Sequence, residues 1–466
     1  MKKKSLLIAL LFINGWMLYA QIPSALANFL KNKNLTHAAV GFKAIDLRTK
    51  EVIASYNENM SLTPASNMKL VTTATALNVL GSRFYFETPL FYDGSIQEDT
   101  LHGNLYIKGI GDPTLGSEFN LGDKENFLKE WLTAIDSAGI KVISGNIIVQ
   151  DQLFGYEGAS PKWLLEDTGN SYAPGIYGIS AFDNTYRVYL QSSDSDSIAT
   201  VLYTYPPVNN LRLSNEIKVS GESTDNAWIS GLPFANEMRM YGTIPAKQDS
   251  FAVAGAIPDP GLFLAQYFRD YLQKSGISIT GEATTYRLYP VIPEELKLLS
   301  VTRSVSLASI IQTTNVHSNN QYAEYLYKVL TVLKSVNIPE YWKKRGLDSE
   351  ALFMYDGSGI SPQDGVSTGF FIDLLTYMYK QPENSGVYYK SLPVAGRSGT
   401  IASFLKNTPL AGKAHLKSGS ISNVQAYSGY IESKGRQYAV SLIINNFTGK
   451  RSDLKKDIER LFTGLF

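Results

Sequence analysis

The chain has 466 residues, with 43 Lys+Arg against 42 Asp+Glu, 44% hydrophobic residues and no cysteine. At ~150 residues per domain that length gives about three domains. The balanced charge removes the basic field of a nucleic-acid binder, and the missing thiols exclude disulfides, cysteine nucleophiles, thiolate zinc sites and iron–sulfur clusters.

Met1-Lys2-Lys3-Lys4 is a basic head, followed by an apolar run over residues 5–18 and a polar stretch from Tyr19. This is the layout of a signal peptide, expected over residues 1–20 with cleavage after Ala20. No later run is long and apolar enough to span a membrane. Residues 40–55 read as two strands around a turn at 46–50. Pro64 precedes a helical pattern over 66–80, in which Met68, Val71, Thr75 and Val79 recur at helical spacing and Gly81 is the stop. A strand at 105–107, a helix at 126–138 and a strand at 147–149 follow. Residues 186–253 are almost all β in pattern. Residues 261–274 read as a helix and 277–280 as a strand. Beyond Ser300 come helices at 321–333 and 370–379, strands at 425–432 and 437–445, and a last amphipathic helix at 452–462. That helix is expected to pack on a sheet rather than lie on a membrane. No repeat and no flexible linker is visible, so domains nested within one another are expected.

The four histidines, His37, His102, His317 and His415, are scattered and form no His-Glu-x-x-His pattern. The chemistry is therefore sought in serine and lysine. In Ser66-Asn67-Met68-Lys69 the hydroxyl and the amine share one helix face at i and i+3. Serine is a weak nucleophile until a base takes its proton, and lysine serves as that base when burial or another cation lowers its pKa. A helix N-terminus favours the developing oxyanion. Alone the pattern is cheap, since residues 403–406 and 452–455 also fit it. Ser318-Asn319-Asn320 lies on a loop before a helix, and Lys417-Ser418-Gly419-Ser420 ends a strand. Lys274-Ser275-Gly276 repeats the letters but closes a helix, where a cation and a glycine cap it. Only 66, 318 and 417 place the three parts on helix start, loop and strand.

That ordered trio resembles the penicillin-binding serine transpeptidases and β-lactamases. More than half the chain lies between Ser66 and Ser318. With residues 105–115, 355–361, 392–396 and Gly399-Thr400, this narrows the resemblance to D-alanyl-D-alanine carboxypeptidase/endopeptidases of the penicillin-binding protein 4 type. The departure is Lys-Ser-Gly-Ser in place of Lys-Thr-Gly-Thr, which keeps the hydroxyls. The resemblance implies an α+β fold: a serine β-lactamase/transpeptidase-like catalytic domain, with an antiparallel sheet between helices, formed by residues 21–83 and 300–466. A second domain, 84–160 and 254–299, would be inserted there, with a mostly β third domain, 161–253, nested inside it.

It further implies a serine-type hydrolase acting on peptidoglycan stem peptides through an acyl-enzyme, binding β-lactams, located in the periplasm and needing no metal or organic cofactor. Ser66 would be the nucleophile, Lys69 its proton acceptor, and Ser318 the relay to the departing D-alanine. Asn320 would hold the peptide. Lys417, Ser418 and Ser420 would hold the terminal carboxylate, and the N–H groups of Ser66 and Ser420 the oxyanion. Asp151 is placed where relatives carry an aspartate that recognises the free amino group of the cross-link residue. No Glu-x-x-Leu-Asn run exists, so slow release of bound penicillin is expected. Two readings compete: a non-catalytic peptidoglycan-binding protein on the same fold, and an esterase using Ser367 of Gly365-Val366-Ser367-Thr368-Gly369 with His415. The second lacks the apolar strand that a nucleophile elbow requires, and Ser367 or Thr368 reads better as a helix N-cap. His317 and Asp356-Gly357-Ser358-Gly359 read as structural, the latter as a tight turn.

Overall fold

The computed structural model describes residues 22–120, 122–194 and 197–466. The expected signal peptide lies outside the described residues. Among the described residues no helix is long and apolar enough to cross a membrane.

The sheet that carries the site is fully antiparallel. Its order is Val52–Tyr56, Ala39–Asp46, Arg436–Asn445, Val424–Ser433, Ala414–Ile421. Its middle strands are buried along nearly their whole length, the pattern of a sheet covered on both faces. One face packs on the helices Met68–Leu80, Leu307–Val316, Asn320–Lys328 and Thr368–Tyr379 through residues such as Val71, Ile310, Tyr325, Phe371 and Ile443. The other face is closed by Ser24–Leu30 and Arg451–Leu465 through Leu26, Leu454, Ile458 and Phe462. The last helix therefore packs on the sheet, as its amphipathic pattern predicts.

The inserted region carries its own sheets. One has the order Ala283–Thr285, Ile147–Gln150, Leu105–Lys108, Glu87–Tyr92, Lys297–Arg303, with helices Asn126–Ser137 and Pro260–Lys274 packed on it through Trp131, Phe268 and Leu264. The strand Lys297–Arg303 runs through the boundary expected at 299/300 and pairs with Glu87–Tyr92. Residues 185–256 form a β unit in which Thr185–Ser192 pairs with both Thr200–Tyr205 and Gln248–Ala256. One apolar cluster joins this unit to the sheet beneath it, through Ile107, Val149, Val188 and Ile229.

Differences from the sequence expectations have local causes. The pattern at 321–333 is α-helical only over Asn320–Lys328, then widens into a π turn at Val329–Leu333. The helix Leu307–Val316 was not anticipated. Its run of Ser, Thr and Asn hides the period, although Ser306 caps it by accepting from Ser309 N–H.

Candidate active site

Ser66 stands in a 3-10 turn, Ala65–Asn67, that leads into the helix Met68–Leu80. Ten residues of that helix are buried, on all sides of it, as expected of a helix driven through a core. The turn is strained and pinned. Ala65 has φ +47°, a costly conformation for a residue with a Cβ. Asn67 Nδ2 donates to Ser428 Oγ at 2.8 Å. Asn445 brackets Thr63, accepting from its N–H and donating to its C=O, both at 2.9 Å.

Lys69 is fully buried. Its Nζ donates to Ser66 Oγ at 2.9 Å, Asn320 Oδ1 at 2.6 Å and the Ser358 carbonyl at 2.7 Å. Burial pushes its ammonium down to about 7, against the pull of Asp356, Glu324 and Asp364. Lys417 lies on the strand Ala414–Ile421, is also fully buried, and donates to Ser318 Oγ at 2.9 Å and the Ser418 carbonyl at 2.7 Å. Burial first, and the neighbouring Lys69 second, hold it well below the ordinary lysine range. Ser318 has φ +55°. Asn319 follows it as N-cap of Asn320–Lys328, accepting from Tyr322 N–H. Ser418 is half-buried and shares a 2.7 Å hydrogen bond with Thr400 Oγ1, while Ser420 on the same strand is exposed. Two hydrogen-bonded groups thus stand side by side, Ser66–Lys69–Asn320 and Ser318–Lys417–Ser418, close enough for Lys69 to repel the charge of Lys417.

Gly419 explains how the strand comes so close. A Cβ on it would lie 2.4 Å from the Pro64 carbonyl. Gly276, with the same preceding letters, has φ +91° and open space around it. It ends the helix Pro260–Lys274, as its letters suggested.

Asp151 is a correction. It is 1% exposed, accepts from Tyr156 O–H at 3.0 Å, and sits against Gly261. Burial lifts its carboxyl to about 6. It is shut inside the insertion, because the chain turns there between a sheet strand and the start of Pro260–Lys274. The insertion reaches the site by another segment. The Tyr172 carbonyl accepts from Asn320 Nδ2 at 2.7 Å, and Tyr172 O–H donates to Asp167 Oδ1 at 2.6 Å. Trp163 Nε1 donates to Asp356 Oδ2 at 2.8 Å. No spacing rule in the sequence marks Trp163, Asp167 or Tyr172, since their relation to the site exists only after folding.

The 356–359 turn is tight, as expected, but it does more than reverse the chain. Asp356 accepts from the N–H groups of Ser358, Gly359 and Ser361, and the Ser358 carbonyl is delivered to Lys69. Asp364 behind it is pushed up to about 10 by burial and by Asp356. Ser367 caps Thr368–Tyr379 by accepting from Phe370 N–H. His415 stacks on Tyr389 with ring centroids 4.1 Å apart. His317 is exposed beside Phe119. A cavity of about 390 Å³ lined by Tyr205, Tyr267 and Tyr271 is bordered by none of the site residues. Among the described residues no group of three or more His, Asp or Glu is placed to hold a metal ion.

Known proteins resemble this chain along nearly its whole length. The D-Ala-D-Ala carboxypeptidase 3 (S13) family matches residues 22–463. A D-alanyl-D-alanine carboxypeptidase of Actinomadura sp. (strain R39) is 26% identical over 447 residues, covering 90% of this chain and 80% of the relative. The D-alanyl-D-alanine carboxypeptidase DacB of Haemophilus influenzae is 23% identical over 440 residues, covering 90% and 88%. The crystal structure of penicillin binding protein 4 from Haemophilus influenzae superposes with a TM-score of 0.79 at 22% identity, covering 94% of this chain and 98% of that one. A peptidoglycan endopeptidase of Bdellovibrio bacteriovorus shares the fold at a TM-score of 0.51 and 14% identity, covering 90% of each chain.

Proposed function

The chain belongs to the S13 family of D-alanyl-D-alanine carboxypeptidases, and on that premise we propose how its own residues divide the work. It is a serine-type carboxypeptidase. Ser66 is the nucleophile and Lys69 the base. The carrying observation is a fully buried amine 2.9 Å from the Ser66 hydroxyl whose ammonium is pushed down to about 7, near the operating pH at which a general base works best.

In acylation the Ser66 proton passes to Lys69 Nζ while Oγ attacks the carbonyl carbon between the two terminal D-alanines. The tetrahedral oxyanion is held by the Ser66 and Ser420 N–H groups. The C–N bond then breaks, and the departing amine takes a proton relayed through Ser318 from Lys417, the lysine it touches; the proton gained by Lys69 replaces it. Water subsequently cleaves the Ser66 ester. Asn320 holds the stem peptide, and Lys417, Ser418 and Ser420 hold its terminal carboxylate. The acidic side chain that meets a free amino group on the cross-link residue is Asp167, supported by its bond to Tyr172, whose carbonyl touches Asn320. The enzyme also acts as a DD-endopeptidase and is acylated by penicillin, with slow release. It works in the periplasm after loss of residues 1–20. Residues 21–83 and about 304–466 form the catalytic domain and the rest two nested insertions, the strand Lys297–Arg303 being the last of the insertion sheet.

Labelling with fluorescent penicillin tests the assignment. The wild type and Ser367→Ala should be labelled and Ser66→Ala should not. Labelling lost in Ser367→Ala instead would favour the esterase reading. An unlabelled, catalytically silent wild type would favour the wall-binding one.

A further inference from the structure

Two of the three oxygens around Lys69 Nζ are carbonyl oxygens, Asn320 Oδ1 at 2.6 Å and Ser358 C=O at 2.7 Å. A carbonyl oxygen only accepts. Once Lys69 is neutral, its two N–H bonds are taken by these oxygens, and its lone pair is left facing Ser66 Oγ. The two acceptors thus set the direction in which the base points. Asn320 is held by its bond to the Tyr172 carbonyl. Ser358 is held by Glu324. Glu324 Oε1 accepts the N–H groups of both Gly357 and Ser358, at 3.0 and 2.8 Å. Glu324 lies on the same helix as Asn320, four residues on, hence on the same face.

Holding the turn's shape does not by itself require Glu324. Asp356 already accepts from Ser358, Gly359 and Ser361 of that turn. Yet Glu324 is 4% exposed, and a carboxyl is expensive to bury unless its oxygens are engaged. We infer that Glu324 is a positioning residue for acyl transfer: its grip on the Gly357 and Ser358 amides aims the Ser358 carbonyl at Lys69 Nζ. It touches neither substrate nor Ser66. The inference rests on Lys69 being the base.

The charged groups that face Lys69 are Glu324 from its helix, Asp356 and Asp364 from the turn, and Lys417 from the strand. Burial and Asp356 raise the Glu324 carboxyl to about 8, above Lys69 at about 7, so Glu324 acts on the turn through its oxygen rather than its charge.

Glu324→Gln keeps an Oε1 acceptor for both amides and loses the charge. Its kcat/KM on a D-Ala-D-Ala peptide should stay within a few-fold of wild type. Glu324→Ala loses the acceptor and should lower kcat about 10²-fold with KM little changed. A Glu324→Gln as slow as Glu324→Ala overturns the inference. So does wild-type kcat in a folded Glu324→Ala. If Glu324→Ala does not fold, Glu324→Met, which fills the space without an oxygen acceptor, is read in its place. Lys69→Met separates the two claims: activity that survives it refutes the base itself, whereas activity lost there but unaltered by either Glu324 change refutes only the role of Glu324.

Discussion

Adding one methyl group to Gly419 tests whether the site is built by close approach of the strand to the nucleophile turn. Gly419 lies on the strand Ala414–Ile421 outside the left-handed region, so backbone strain plays no part and only space matters. Its Cβ would stand 2.4 Å from the Pro64 carbonyl, 3.0 Å from Asn67 N and 3.2 Å from Asn67 Oδ1. Ordinary contact begins at 3.4 Å. The nearest atom is backbone and cannot swing away, so strand and turn must part by about 1 Å, an over-packing change worth about 1–3 kcal/mol of stability. Pro64 and Asn67 flank Ser66, and Lys417 and Ser418 precede Gly419. The displacement therefore falls between the nucleophile and the groups that hold the substrate. A misplacement of that size costs about 10²-fold in rate. Gly419→Ala should lower kcat/KM on a D-Ala-D-Ala peptide by that factor while denaturant unfolding shows the modest loss. Gly276→Ala is the matched control. It carries the same preceding letters, has open space, and meets only its φ of +91°, at a cost of about 1–2 kcal/mol with kinetics unchanged. Wild-type kcat/KM in Gly419→Ala, or equal slowing in both variants, would refute the reasoning.

The pH dependence follows from Lys69. As a base it works neutral, so kcat/KM should rise as pH passes about 7, where its ammonium is held. A limb at the ordinary lysine value near 10 would contradict burial as the cause. Trp163→Phe removes the insertion's hydrogen bond to Asp356 and should cost about 1–2 kcal/mol of stability. It should also lower kcat several-fold, since the turn bearing Ser358 loosens, and an unchanged kcat would detach the insertion from catalysis. Asp167→Asn should lower kcat/KM about tenfold for stem peptides bearing a free side-chain amine, the worth of a charge-assisted hydrogen bond. It should spare peptides that lack the amine, and equal loss on both would end the assignment.

The three motifs at 66, 318 and 417 were legible as one cluster because their geometry is local. Ser66 and Lys69 share a face whatever the tertiary structure, and Lys-Ser-Gly at 417 differs from its copy at 274 by the element it ends. Thr368–Tyr379 and the paired strands Val424–Ser433 and Arg436–Asn445 were legible for the same reason: a strong period, bounded by Ser367 and by turn residues. What escaped was relational. Asp151 was chosen by its place along the chain, yet burial against Gly261 decides its fate, and no pattern reports that. Trp163, Tyr172 and Glu324 bear on the site through hydrogen bonds to Asp356, Asn320 and the Gly357 and Ser358 amides. Their partners stand far away in sequence in two of those three cases. The turn 356–359 was read correctly as a turn, but the direction of one carbonyl within it is a product of packing.

Lys69 and Lys417 are equally buried, and their surroundings separate their roles. Behind Lys69 stand buried carboxyls, Asp356 foremost, which offset part of the effect of burial and leave it at about 7. Without them burial would leave an amine too weak to take a proton from serine. Lys417 has no such support. Its partners are the neutral Ser318 hydroxyl and Ser418 carbonyl, and its strongest charged neighbour is Lys69, which repels it. The empty site therefore disfavours a second ammonium. A substrate ending in a carboxylate brings the counter-charge that Lys417 lacks, and a charged Lys417 in turn opposes protonation of Lys69. On the roles proposed for Lys417 and Lys69, recognition of the anionic chain end and readiness of the base are then one electrostatic event, which ties the carboxypeptidase's choice of substrate to the chemistry it performs.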